Sequence, residues 1–415
     1  MTVFWHPFAS MAEVAGNEVL IVRGEGVHVW DDRGTRYIDG ASSLWYANVG
    51  HGNTEIAAAV AAQMAELETF HTFGPFTNRP AAALTEQLSG LAPLPGSKVF
   101  LTSGGGEAIE TAAKLARLYH AERGEPGRHH LISRSHAYHG TQGIGTSILG
   151  MPYREGFGPL LEDTSQVEWD SAIALEEEIQ RIGPENVAAF VFEPVIGAGG
   201  VHVPPPGYLD EAVSVCRRHG VLTIADSVIG GFGRLGGWYG VERFHVHPDL
   251  ITFAKGVTSG YLPLGGVIVA PEIAAPFWDA PGRMFAHGAT YAGHAACCAA
   301  ALANLDVLTR DDLVHRALEL EADFHATLAE VTAHPLAGEV RGGVGLMAAV
   351  ALADDVVDAD PGAPVRFVRL AREAGVLSRG LRDGLAIAPP LVIELETVAE
   401  IAERLSTALD RLAAG

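Results

Sequence analysis

Between residues 98 and 270, short apolar runs recur without strict alternation: "KVFLT", "HHLISR", "VAAFVFEPV", "GVLTIADS", "LITFA" and "GGVIVA". Runs of this length, rich in aliphatic and β-branched residues, predict strands buried on both faces. Amphipathic stretches separate several of them, such as "GEAIETAAKLARLYHAE" and "GYLDEAVSVCRRHG". Strand and helix in alternation predict an α/β fold with a mainly parallel sheet flanked by helices. Upstream, alternating residues on both sides of Asp32-Arg33-Gly34 in "GVHVWDDRGTRYIDG" predict a hairpin. The Ala-rich "NTEIAAAVAAQMAELETF" predicts a helix capped by Asn53 or Thr54. From Ala292 onward, "AGHAACCAAALANLDVL", "DDLVHRALELEADFHATLAEVTAH", "PVRFVRLAREAG" and "ETVAEIAERLSTALDRLA" predict helices around "GVGLMAAVALA". The expected organisation is an N-terminal segment, residues 1–52, joining a smaller α+β domain at 292–415, with a large domain at 53–291 between them.

Composition narrows the partners. Apolar residues make up 48% and charged residues 19%, which argues for much buried surface, a subunit interface included. A net charge of −22 opposes nucleic acid and anionic membranes, which would repel the chain. The three cysteines, Cys216, Cys297 and Cys298, form no C-x-x-C pair, so neither a disulfide framework nor a zinc site is expected, and no metal. The opening "MTVFWHPFASMAEVAG" has no basic region followed by a long apolar core, so no signal peptide is expected. No apolar run of about 18 residues predicts a membrane span. The expectation is a cytoplasmic protein.

In a parallel sheet, ligands bind outside the carboxyl ends of the strands, and the polar residues placed there carry the chemistry. "LTSGGGEAIETAAKLA" runs from a strand into Gly104, Gly105 and Gly106 and then a helix, a turn able to offer backbone N–H groups to a phosphate. Tyr138 and His139 follow the next strand, where an aromatic ring can stack on a flat ligand. Glu193 and Asp226 each close an apolar strand, and a buried carboxylate needs a partner; a protonated ring nitrogen would serve Asp226. Lys255 follows "LITFA" in a chain with only three lysines, Lys98, Lys114 and Lys255. Burial lowers a lysine's pKa and frees a neutral amine as nucleophile or base. His287 and Thr290 lie in "HGATYAGH", a polar loop before a helix. Each feature alone has an ordinary structural explanation. Together, a phosphate turn, a stacking ring, an acid for a ring nitrogen and a lysine for a Schiff base are the parts a pyridoxal phosphate site requires.

In order, "SLWYANVGHG", "TSGGGEAIETAAKLAR", "YHG", "EPVIGAGG", "ADSVIGGFGRLG", "TFAKGVTSGYLPLGG", "HGATYAGH" and "APPLVI" span nearly the whole chain. That series resembles the class III aminotransferases, fold type I pyridoxal-phosphate enzymes, and is closest to their ω-amino acid:pyruvate type. The resemblance implies a seven-stranded, mainly parallel sheet and pyridoxal 5'-phosphate as cofactor. It implies that Lys255 bonds the cofactor aldehyde and then shuttles protons, and that Asp226 keeps the pyridine nitrogen protonated. Tyr138 and Val228 would cover the two ring faces, with His139 and Glu193 beside them, and Gly105 and Gly106 would meet the phosphate. Thr290 would reach the phosphate of a partner subunit, which implies a homodimer. Arg379 would receive a substrate carboxylate, and Trp45 and Tyr46 would wall an apolar pocket or simply pack in the core. Transamination by this scheme is ping-pong, through pyridoxamine phosphate.

The chain departs from the family at three places. Gly104 and Gly106 stand where serines are usual, and Ser227 where glutamate is usual. The loss of a phosphate-binding hydroxyl leads us to expect weaker cofactor retention. Ala198 stands where members acting on ornithine, acetylornithine or 4-aminobutyrate carry a glutamate that pairs with the C-terminal arginine. The expected reaction is therefore transfer from an ω-amino acid or amine to a keto acid, pyruvate foremost. The alternatives are a diaminopelargonate-type aminotransferase, or a mutase, racemase or decarboxylase of the same fold. A non-catalytic relative would have no use for Lys255 and Asp226.

Overall fold

The computed structural model describes residues 3–414. Seven strands form the central sheet: β1 Lys98–Thr102, β2 His130–Arg134, β3 Thr164–Val167, β4 Val187–Phe192, β5 Leu222–Asp226, β6 Leu250–Phe253 and β7 Gly265–Val269. Their order is β1-β7-β6-β5-β4-β2-β3. Only β7 runs antiparallel to its neighbours; β3, β2, β4, β5 and β6 pair in parallel. Every residue of β4, β5, β6 and β7 is buried, which is why these strands read as unbroken apolar runs. The expected α/β fold with a mainly parallel seven-stranded sheet is what the chain adopts.

The six anticipated strands form, trimmed by a residue or a few at their ends. The seventh, β3, is an edge strand; only Val167 of its four residues is buried, so "TSQV" carries no apolar signature. The hairpin forms between His28–Asp31 and Arg36–Asp39, its turn tied by Asp31 Oδ1 accepting from the N–H of Arg33 and Thr35. Asn53 caps the helix Thr54–Glu66, its Oδ1 accepting from Glu55 N and Ile56 N.

Chain ends meet in two further sheets. Strand Arg36–Asp39 pairs in parallel with Val376–Leu377. A second four-stranded sheet joins Ala337–Arg341, Ala348–Leu352, Gly384–Ile387 and Arg379–Gly380. Passing from one sheet to the other, the chain places Arg379 at their joint. The helix Ala295–Arg310, assigned from sequence to the smaller unit, packs along helices Thr54–Glu66 and Arg79–Leu91. Its Asn304 Nδ2 donates to the carbonyls of Gly256 and Val257, just after Lys255.

Candidate active site

Five polar groups gather where the sheet's carboxyl edge meets the small sheets. Asp226 is the last residue of β5, Glu193 follows β4, Tyr138 and His139 lie beyond β2, and Lys255 lies two residues past β6. With Gly105, Gly106, Val228, Trp45 and Arg379 they line one cavity of about 320 Å³.

Asp226 forms the floor. Its Oδ2 lies 2.8 Å from His139 Nδ1, and both side chains are buried. Its Oδ1 accepts from Val228 N at 3.1 Å and from Thr252 Oγ1 at 3.3 Å. The carboxylate is thus fixed, with a histidine behind it and the cavity in front. Glu193 is also buried. Its Oε1 accepts from Tyr138 N at 3.0 Å and its Oε2 from Gly197 N at 2.9 Å. Burial pushes its carboxyl up, and the Asp226 charge adds to that against the pull of His139. Glu193 therefore positions the Tyr138 backbone, and its side chain lies within the wall.

Lys255 takes a left-handed backbone, φ 48°, and lines the cavity. Its ammonium makes no hydrogen bond or ion pair among the described residues. Burial lowers its pKa from 10.5 to about 8, with Asp226 and Glu193 opposing the shift and Arg379 adding to it. At neutral pH a usable fraction is already the neutral amine.

Two glycines close the far end. A Cβ on Gly105 would lie 2.8 Å from Val228 Cγ1, and a Cβ on Gly106 would lie 1.5 Å from Gln142 Oε1. Glycine at both positions lets neighbouring side chains rest on bare backbone. Both glycines open the helix Gly105–Glu122 and line the cavity, so their N–H groups have no intrahelical acceptor. Tyr138 stands half-buried, its phenol pushed up by burial.

Trp45 reaches the cavity through a strained loop. Ser42, Ser43 and Trp45 have φ of 47°, 58° and 67°, conformations that non-glycine residues adopt only when their surroundings impose them. Asp39 imposes it here: its carboxylate accepts from Ala41 N at 3.2 Å and Ser43 N at 2.6 Å, and His51 Nε2 lies 2.7 Å away. Tyr46 points elsewhere. Its hydroxyl bonds Ser43 Oγ at 2.6 Å and its ring covers Gly260, so of the expected aromatic pair only Trp45 lines the cavity. Thr290 is exposed and borders a neighbouring hollow with Ser103, Glu107 and Gln142.

Sequence reading missed the rest of the wall. Phe8, Leu44, Met151 and Tyr153 complete an apolar mouth, with Phe8 and Tyr153 edge to face at 5.4 Å. Phe8 stands within the N-terminal "FWHPFASM" motif, but no local periodicity marks a residue that reaches a cavity across the fold.

The residues present fit pyridoxal phosphate: a partnerless amine, an acid for the ring nitrogen, Tyr138 and Val228 for the ring faces, and bare N–H groups for the phosphate. The aminotransferase class-III family model matches residues 10–409. A putrescine–pyruvate aminotransferase from Pseudomonas aeruginosa is 35% identical, covering 95% of this chain and 91% of its own. A diaminobutyrate–2-oxoglutarate transaminase from Halomonas elongata is 37% identical, covering 95% of this chain and 90% of its own. An (S)-enantioselective omega-transaminase from Thermomicrobium roseum superposes with a TM-score of 0.93 at 39% identity, over 98% of this chain and 96% of that one. The chain belongs to the class III aminotransferase family. It is an aminotransferase of fold type I, and its cofactor is pyridoxal phosphate.

Proposed function

We propose that the chain moves an amino group from an ω-amino acid or apolar amine to pyruvate, donor and acceptor using one cavity in turn by a ping-pong scheme. The observation that carries this reading is Arg379. It lines the same cavity as the apolar side chains, and its guanidinium makes no hydrogen bond or ion pair among the described residues. Ala198, on the same cavity wall, offers no carboxylate to neutralise it. An unpaired guanidinium invites a carboxylate, which it can grip with two parallel N–H···O bonds. Trp45, Leu44, Phe8 and Tyr153 suit an apolar amine and exclude water. The names of the two enzyme relatives support different acceptors, pyruvate and 2-oxoglutarate; a cavity of about 320 Å³ with one free arginine favours the acceptor with one carboxylate.

Bound pyridoxal phosphate supplies an aldehyde and an electron-withdrawing ring that make the donor's Cα–H acidic. Asp226 holds the proton at the ring nitrogen, and His139 holds Asp226. Lys255 Nζ, poised near neutrality, takes the proton from the donor carbon and redelivers it, as general base and then acid. Tyr138 and Val228 hold the ring plane between them, and Gly105 and Gly106 anchor the phosphate. We assign the partner-directed role to Thr290, and infer a homodimer. Phe70, Phe73, Phe76, Met284 and Tyr291, all exposed, form an apolar face around that loop, the kind of surface a partner covers.

Half-reaction kinetics of Arg379→Ala test the assignment. The amine half-reaction should stay within about threefold of wild type, while the pyruvate half-reaction loses about 10- to 100-fold in kcat/KM, the value of a charge-assisted bond. Equal loss in both halves would remove Arg379 as the acceptor's ligand.

A further inference from the structure

The absent hydroxyl at position 106 has a counterpart. The turn Gly140–Gln142 lies directly on Gly106: a Cβ on Gly140 would lie 3.2 Å from the Gly106 Cα, and a Cβ on Gly106 would fall 1.5 Å from Gln142 Oε1 and 2.5 Å from its Cδ. The Gln142 amide therefore occupies the room a serine side chain would take.

The turn is held in place by the same helix whose first N–H groups line the cavity. Glu110 Oε1 accepts from Ile144 N at 2.5 Å and Gly145 N at 3.3 Å, and Thr146 N donates to Gln142 O at 2.7 Å. Nearby Glu107 is occupied, its Oε2 accepting from Ser103 N at 2.8 Å. The Gln142 amide, by contrast, has no hydrogen-bond partner among the described residues. It rests on Gly106 with Oε1 nearest and Nε2 3.0 Å from the same Cβ position, at the border between the cavity and the hollow that Thr290 lines, with two donors to offer. Lys255 and Asp226 take the aldehyde and ring end of the cofactor, which leaves its phosphate to this end.

We propose that Gln142 is a phosphate-binding residue: its amide N–H₂ donates to the cofactor phosphate in place of a hydroxyl at 106, and Gly106 is glycine so that the amide fits. Gly106→Ser is then not a repair, because the new side chain collides with Gln142. The inference rests on the cofactor assignment and not on the choice of amine or keto acid, so a chain that rejects pyruvate still tests it.

The experiment is a fluorescence titration of cofactor-free protein with pyridoxal phosphate and, separately, with pyridoxal. For Gln142→Ala the Kd for pyridoxal phosphate should rise about tenfold, as for a lost charge-assisted bond, with the Kd for pyridoxal unchanged within about twofold. Gly106→Ser alone should also bind pyridoxal phosphate more weakly than wild type. The double variant, Gly106→Ser with Gln142→Ala, should return to within about threefold of wild type, because the hydroxyl then has both room and a ligand. Two results would overturn the proposal: wild-type affinity for pyridoxal phosphate in Gln142→Ala, or equal loss for both ligands, which would make Gln142 a packing residue.

Discussion

Lys255 and Arg379 are the two cations of the cavity, and their surroundings give them different work. Lys255 is held at a depressed pKa of about 8 by burial, so its neutral form is within reach of physiological pH. With Lys255 as the proposed partner of the cofactor aldehyde, uptake of pyridoxal phosphate by cofactor-free protein needs that neutral form. Its rate should climb steeply with pH up to about 8 and then level, where a lysine at its ordinary 10.5 would keep climbing. Stability responds to the same shift. Between pH 8 and pH 10.5 the unfolded chain holds a proton that the folded site has released, so the cofactor-free protein gains stability as pH rises through that window. Rapid-mixing rates from pH 6 to 10 decide the matter; a rate still rising at pH 10 would refute the depressed lysine. Lys255, Asp226 and Glu193 were legible because each is a charged group at the end of an apolar strand, a position that costs free energy unless it is used. Gln142 and Tyr153 were not legible, since nothing local distinguishes them from surface polar and aromatic residues.

At the scale of elements, the site depends on loops held from outside. Arg234, within the "FGRLG" turn, is fully buried and bridges three parts of the chain. Its Nη1 donates to Leu346 O at 2.9 Å and Pro389 O at 2.6 Å, and its Nη2 to Ser42 Oγ at 2.8 Å and Asn48 Oδ1 at 3.2 Å. Asn48 Nδ2 in turn donates to Phe232 O at 2.8 Å. Burial lowers the Arg234 pKa to about 9, against the attraction of Asp39. This arginine fastens the strained Ser42–Trp45 loop to both the large body and the C-terminal sheet. Arg234→Met keeps the bulk but leaves those acceptors unpaired, and should cost about 3 kcal/mol or more. Urea denaturation would read it, and an unchanged midpoint would refute the clamp. The sequence showed the strands and their order of polar ends, because two-sided burial writes itself as apolar runs. It did not show the loop's left-handed residues, which Asp39 and Arg234 enforce through contacts distant in sequence.

The whole molecule exposes an apolar face beside the loop that carries Thr290. Met284 is 74% exposed, and Phe73 and Phe76 about half. If this face is the dimer interface, Met284→Glu should shift sedimentation toward the 43.7 kDa monomer and weaken cofactor retention together. Dimers retained at micromolar protein would place the interface elsewhere. Composition hinted at such burial, but no periodicity marks which apolar residues face a partner. Beyond family membership, we propose that one cavity takes an apolar amine and then pyruvate. The direct measurement is the visible absorption of the enzyme loaded with pyridoxal phosphate, recorded after a simple amine and again after pyruvate. The cofactor band should bleach with the amine and be restored by pyruvate. A band restored by 2-oxoglutarate but not by pyruvate would contradict that reading.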